Sequence, residues 1–525
     1  MQVPVWLNKS NIYFFGLALM IASLPLSKFM MSVSQFILVF NWLLDVKVVD
    51  KFRAFFRNRA AIAIVSIYLL HVIGLLWTEN FVYAAKDLRI KLPVLALPII
   101  LSTSPPVGKR YFHHLMVIFI AANIAGSFFS MRELLTREIV EIRKISLFMS
   151  HIRFSLNICV AIFAGTYLVL KTGYGSRAGK ALISLGVLWL LVFLVIMESV
   201  TGIAVLLLTL MVLTLVAVLR SRNRVLKTAG IAVLIVVPLA IVLYLNNIYN
   251  DLMPDRPFRY EGMDTHTSRG NPYLHDKSLG VENGHWTGQY LQWQELKTAW
   301  NQRSEIPFDS LDRQGHHLKY TLIRYLTSKG LRKDFNGVSA LTENDIEAIE
   351  KGIANVDQLK ESSFTNRIKT IFWEIEQYRH SGYLSGHSLT QRLEFLRAAF
   401  RIIGDQPLLG TGTGDIYDAF QQEYVEMETQ LKPQFRWRTH NQYITIFATF
   451  GIIGLLWFLF ALIYPAWKKR MFNDYFYLVF FCILMFSMLT EDTLENQAGN
   501  TFFAFFTSFL LLARRQSEPF INHKA

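Results

Sequence analysis

Apolar residues fill long, almost unbroken stretches of this chain, and polar residues gather between them. Such runs recur near 11–26, 30–45, 60–77, 92–103, 113–130, 154–170, 181–197, 202–219, 229–246, 441–467, 475–490 and 500–513. A helix needs about 20 mostly apolar residues to cross a bilayer, and interfacial aromatics complete shorter spans. The pattern predicts about twelve membrane-spanning helices. The run at 92–103 is the least regular, because Pro93 and Pro98 interrupt it. The first run lacks a small-residue cleavage site and leads at once into another, so it reads as an anchor and not a removed leader.

One stretch breaks the rhythm of short connections. From about 247 to 440 the chain is polar, with charges of both signs and turn-rich pieces such as MPDRPF and TSRGNPY. Connections longer than about 15 residues are usually functional or disordered. Apolar residues at helical spacing predict order here, over 340–360 (with a Thr cap and a following acid), 362–379 and 388–405. The chain thus divides into a membrane bundle at 1–246, a loop domain at 247–440, and further spans with a tail at 441–525. The predicted fold class is all-α, a polytopic bundle with a large, mainly helical loop domain.

Charge adds an orientation. The chain is 52% hydrophobic and 18% charged, with a net charge of +14; soluble domains are roughly 25% charged. Basic residues concentrate in alternate connections, at 47–59, 171–180, 220–227, 468–470 and 513–515, while the opposite connections at 27–29, 198–201 and 491–499 carry Lys28 alone. The positive-inside bias then puts both termini in the cytoplasm and the loop outside. Segment 131–153, with five basic residues, is the exception. Topology accounts for most of the positive charge, and anionic lipid or a phosphorylated substrate for the rest. No nucleic-acid motif is present. Cys159 and Cys482 both fall within predicted spans, which argues against a disulfide or a thiolate metal site.

Candidate chemistry clusters late in the chain. An amphipathic stretch bearing Arg392, Arg397 and Arg401 breaks at Gly404 and Pro407, and GTGTGD follows with Gly410, Gly412 and Gly414 at alternate positions. Such glycines either let backbone N–H groups approach a ligand or permit a sharp turn. The setting matches neither a dinucleotide fold nor a P-loop. Then RWRTHN (436–441) stands at the doorway of the tenth span. Arg436 and Trp437 suit an interfacial anchor. His440 titrates near neutral pH and can take a proton from a hydroxyl, although a histidine at a membrane boundary can equally be structural.

Together, QRLEFLRAAFRIIGDQPLLGTGTG and THNQYITIFATFGIIGLL resemble the O-antigen ligase and polymerase family of bacterial membrane proteins. Pro407, Leu408, Leu409, Gly410, Gly412, His440, Asn441, Gly451 and Gly454 match its signature in order, over about 390–455. The resemblance implies a GT-C-like enzyme of the bacterial inner membrane that moves a glycan from a polyprenyl diphosphate carrier to an acceptor hydroxyl at the periplasmic face. The acceptor is a lipid A–core sugar for a ligase and another carrier-linked repeat for a polymerase; protein O-glycosylation is a third option. It further implies Arg392 and Arg153 on the diphosphate. The acceptor hydroxyl needs a base, for which His440 is the natural candidate. Arg438 joins the diphosphate-binding set because it stands two residues from His440, and the Gly410–Gly414 turn and Asn441 are expected to shape the pocket. Arginine's planar fork suits phosphate oxygens, and no Asp/Glu cluster in the sequence suggests Mg²⁺. The expected reaction is metal-independent, cofactor-free and inverting.

One departure and several alternatives accompany this reading. Relatives often carry an arginine between the seventh and eighth spans, where this chain has Val200 within MESVTGIAVL. Glu198 beside it either pairs with another arginine or is interfacial. Glu491, Asp492 and Glu495 read as a polar turn in preference to a partner for the arginines. The loop histidines His266, His275, His285, His316 and His317 lack zinc-site spacing. The stretch GHWTGQYLQW (284–293) suits sugar stacking or the loop's own core. A lipid-linked oligosaccharide transporter is the alternative of another class, disfavoured by unlike halves and few mid-span charges.

Overall fold

The computed structural model describes residues 8–45, 47–136, 145–171, 173–252, 261–359, 363–381 and 388–515. Twenty α-helices make up nearly all of its regular structure, and the described residues hold a single two-stranded sheet, β1 (Val281–Glu282) with β2 (His285–Trp286). Contacts divide the chain into two compact units. One comprises 1–234, 394–429 and 436–525, the other 235–393 and 430–435.

The first unit begins with α1 (Lys9–Leu26) and α2 (Lys28–Leu43), a hairpin joined at Ser27. The chain then bends by 108° into α3 (Val48–Arg57). It continues through α4 (Arg59–Ile73), α5 (Phe81–Thr103), α6 (Lys109–Thr136), α7 (His151–Lys171), α8 (Arg177–Ile196), α9 (Val200–Arg220) and the start of α10 (Arg224–Leu252). At two places a glycine lets a neighbouring helix's side chain sit directly on the backbone. Gly165 of α7 lies against Val187 of α8, and Gly202 of α9 against Ser155 of α7, so any Cβ at either glycine would overlap its neighbour. In lipid, helices associate through such close van der Waals contact and not through a hydrophobic drive. α7 is the enclosed centre, with 78% of its apolar window buried, whereas the same measure for α10 is 0%.

By length and composition, eight helices among the described residues can cross a membrane: α1, α4, α6, α7, α8, α9, α10 and α18 (Gln442–Lys468), or nine if the bent pair α2–α3 is one span. The expectation of about twelve counted three further runs, which form helices that fall short of this length or composition. The run at 92–103 is only the apolar half of α5, whose first turns carry Lys86, Asp87, Arg89 and Lys91. The last two runs form the shorter apolar helices α19 (Tyr475–Ser487) and α20 (Gln497–Ser508), the latter extended by a π-turn to Ala513. The protein is an all-α, polytopic membrane protein.

The second unit has its own core. Trp300, Leu318, Leu322, Tyr325, Leu326 and Ile349 are fully buried there. They come from α11 (Trp293–Asn301), α12 (Leu318–Ser328) and α14 (Glu343–Glu350), beside the short α13 (Phe335–Ser339). The capping box foreseen at Thr342 is present, closed by Asp345. That helix stops well before 360, because Gly352 adopts φ +82 and ends it in the left-handed region. α15 (Ser363–Ser381) and α16 (Ser388–Asp405) lie within a residue or two of their expected bounds. Trp286 and Leu291 are buried and Trp293 packs on the core, so this aromatic stretch serves the loop's interior. His266, His285, His316 and His317 are exposed.

Candidate functional site

The doorway segment 436–441 belongs to the first unit and is fixed by α17 (Ile416–Glu426). Gln421 Nε2 donates to the Arg436 carbonyl (3.3 Å) and Tyr424 Oη to that of Trp437 (2.6 Å). Asn441 caps α18, its Oδ1 accepting from Tyr443 N (3.1 Å) and Ile444 N (3.2 Å) while Nδ2 donates to Leu489 O (3.1 Å). Between these anchors His440 is held at φ +51, a left-handed conformation unfavourable for a residue with a Cβ. Its backbone N–H donates to Asp492 Oδ2 (3.1 Å), and its half-buried ring tilts 43° against Phe395 of α16, centroids 5.8 Å apart. The strain is carried by a cap on one side and a carboxylate on the other.

That carboxylate belongs to the turn 491–496, which organises the site. Asp492 Oδ1 also accepts from Thr445 Oγ1 (2.7 Å). Glu495 accepts from Lys91 Nζ (2.9 Å) and Arg438 Nη1 (2.9 Å) on Oε2, and from Gln442 Nε2 (3.2 Å) on Oε1. Lys91 pairs as well with Asp87 Oδ1 (2.6 Å). Burial would raise the Glu495 carboxyl, but Lys91 and Arg438 outweigh it and hold its pKa well below the usual carboxylate range. Burial likewise opposes the charge on Arg438, and Glu495 outweighs it, moving that pKa above its ordinary value. Arg438 is therefore a fixed cation that spends one of five N–H donors on Glu495.

Arg153, at the start of α7, is 5% exposed and clasps the same turn. Its Nη1 donates to Thr493 Oγ1 (3.2 Å), and its Nη2 to the Asp492 carbonyl (3.2 Å) and Glu491 Oε2 (3.4 Å). The structure thus brings His440, Asn441, Arg438 and Arg153 together around one acidic turn. Arg392 lies on the part of α16 assigned to the second unit. Arg397 and Arg401, both exposed, pair with Glu394 (3.2 Å) and Glu423 (3.2 Å).

The glycine turn has a specific structural partner. Gly451, at φ +63 and ψ −168, breaks α18 and leaves hydrogen-bonding groups of that helix unpaired. The turn supplies what is missing: Thr411 N donates to Ala448 O (3.1 Å), Gly412 N to Thr449 O (2.9 Å), and Pro407 O accepts from Ile452 N (2.9 Å). A Cβ at Gly410 would overlap Thr449, and one at Gly414 the Asn80 carbonyl. Asp415 then caps the entry to α5, accepting from Asn80 N at 2.7 Å. These N–H groups face protein carbonyls, so the turn shapes its surroundings as a splice between α18 and α5.

Sequence reasoning missed Lys91 and Asp87 and preferred a plain polar turn at 491–495. A signal existed: two opposite charges four apart in KDLRIKLP, at the mouth of an apolar run, mark a paired intramembrane site. Val200, at the expected arginine position, is the first residue of α9, directly after the cap Ser199, whose Oγ accepts from Gly202 N (3.2 Å). Among the described residues no three His, Cys, Asp or Glu side chains group as a metal site would require.

A polytopic helical bundle with a histidine, cations and an acidic turn gathered at one end of its spans is the class defined so far. Residues 359–459 match the model of a known family described as O-antigen ligase, the family that the sequence resembles. The match takes in Arg392, the glycine turn, Arg438, His440 and Asn441; Arg153, Lys91 and the acidic turn lie outside it. It supports an integral membrane protein with a glycan-transfer role in surface polysaccharide synthesis. Comparison with curated proteins gave no match.

Proposed function

We propose that this protein transfers a glycan from a polyprenyl diphosphate carrier to an acceptor hydroxyl at the periplasmic face of the bacterial inner membrane, and that it ligates surface polysaccharide to a lipid A–core sugar. The observation that carries the reading is His440, held in a strained conformation beside the fixed cation Arg438 within the family-matched segment. Residues kept in left-handed backbone against their preference cluster at functional sites.

In this reaction the acceptor oxygen attacks the anomeric carbon, whose bond to the diphosphate oxygen breaks, and the acceptor proton passes to the His440 ring. A single displacement inverts the anomeric centre. The diphosphate leaves with its charge met by guanidinium groups, which act more strongly at a dry membrane edge. Arg438 is the contact favoured by its fixed position. Arg153 acts through the turn that it clasps, as a positioning residue. Arg392 is assigned to the diphosphate on the resemblance of its helix alone. The glycine splice holds α18 at its Gly451 break, in the same helix whose start follows His440.

The test uses purified protein reconstituted with a lipid-linked glycan and an acceptor. Wild-type protein forms product without an energy source, and His440→Ala loses about 10²–10⁴ in rate, the usual worth of general-base assistance. Full activity in that variant removes the base. In a deletion strain, long chains left on the carrier indicate a ligase, and single repeats a polymerase.

A further inference from the structure

At the opposite end of α18 from His440, the chain turns into α19 through Lys468-Lys469-Arg470-Met471-Phe472-Asn473. α18, with its break at Gly451, is long and apolar enough to cross a membrane, which puts this turn at the other membrane face from His440. Here Trp467, Lys468, Arg470, Phe472 and Asn473 line a cavity of about 470 Å³. We propose that this cavity binds the phosphate headgroup of an anionic membrane lipid.

The charge balance carries the proposal. The acid of this turn, Asp474, is already committed: it pairs with both terminal nitrogens of buried Arg514 (2.9 and 2.8 Å) and caps α19 through Tyr477 N (3.0 Å). Lys469 turns away to the Leu511 carbonyl (2.9 Å). Among the described residues no carboxylate pairs with Lys468 or Arg470, which leaves two cations at the cavity. A third, Arg220 at the end of α9, reaches it by donating from Nη2 to Asn473 Oδ1 (2.7 Å). Arg470 stands at φ +56, an unfavourable left-handed conformation that the sharp turn imposes.

The surroundings select a lipid over a free anion. Trp467 is 68% exposed, and Phe460 and Ile463 continue an exposed apolar surface along α18, as contact with acyl chains requires. Basic pockets between spans at the cytoplasmic face suit anionic headgroups, and guanidinium and ammonium groups supply charge-assisted hydrogen bonds to phosphate oxygens. The site is separate from the proposed transfer chemistry.

The full-length protein in nanodiscs of phosphatidylcholine, with and without phosphatidylglycerol, tests this, with co-purifying lipid read by native mass spectrometry. Two cations predict a phosphatidylglycerol preference of about tenfold to thirtyfold. The variant Lys468→Gln/Arg470→Asn loses it (Asn tolerates the left-handed backbone), Lys468→Gln alone loses part of it, and the charge-preserving Lys468→Arg retains it. Equal retention of both lipids by wild type, an unchanged preference in the double variant, or loss in Lys468→Arg overturns the proposal. Displacement of the lipid by millimolar inorganic phosphate overturns it also, in favour of a soluble anion.

Discussion

Lys91 offers the sharpest test of how the site is held. It is 2% exposed and bonds two carboxylates at once, Asp87 and Glu495, while Glu495 also holds Arg438. Two acids and two bases make this network neutral. Replacing Lys91 with Met keeps the bulk but leaves two buried carboxylates sharing one guanidinium. Removing one partner of a buried ion pair costs about 3–5 kcal/mol, because the remaining charge stays desolvated and unpaired. The second substitution Asp87→Asn restores neutrality. The double variant should therefore recover more than half of that loss, a coupling of roughly 2 kcal/mol or more, at the upper end for residues in contact. Unfolding in mixed micelles, followed by the fluorescence of the 11 tryptophans, reads the cycle. Transfer activity read alongside should fall in Lys91→Met even where the protein is folded, since Glu495 then draws on Arg438 alone. A cost below about 1 kcal/mol for Lys91→Met, or strictly additive effects, would show that the network is not what holds this end of the bundle.

Three further outcomes follow from local geometry. His440→Gly should be more stable than His440→Ala by about 1 kcal/mol, because glycine accepts φ +51 without strain, while both are inactive in transfer; equal stabilities in a denaturation assay would contradict the left-handed backbone. Gly451→Ala should abolish folded protein in size-exclusion profiles, since its Cβ would overlap the Leu408 carbonyl at a φ of +63. Burial lowers the Lys333 ammonium in the loop unit to about 7. The unfolded chain then binds that proton more tightly, so stability rises between about pH 7 and the ordinary lysine range, by up to roughly 1.4 kcal/mol per pH unit. Lys333→Met should flatten this slope and raise the midpoint of denaturation at neutral pH; an unchanged slope would mean that the ammonium is solvated.

Much of this protein is legible along the chain because a bilayer imposes a one-dimensional rule: residues that sit in hydrocarbon must be apolar for about 20 positions. The spans, the long polar insertion and the doorway RWRTHN all follow from it; the Thr342 cap is legible for a different local reason, its partner being three residues away. Where short runs had to be counted the rule weakened: α5 is charged in its first turns, and α19 and α20 are brief because neighbours, not lipid, enclose them. What the tertiary structure alone decided is pairing at long range. Glu495 meets Lys91 across 404 positions, and Arg153 meets Thr493 across 340. No local pattern encodes which charges will face one another. The glycine turn shows the same division: its sequence permits either a ligand cradle or a sharp bend, and only the break at Gly451 determines where its N–H groups go. Hydrophobic length is a local property and can be read in order; compensation of buried charge and backbone is a property of the folded whole.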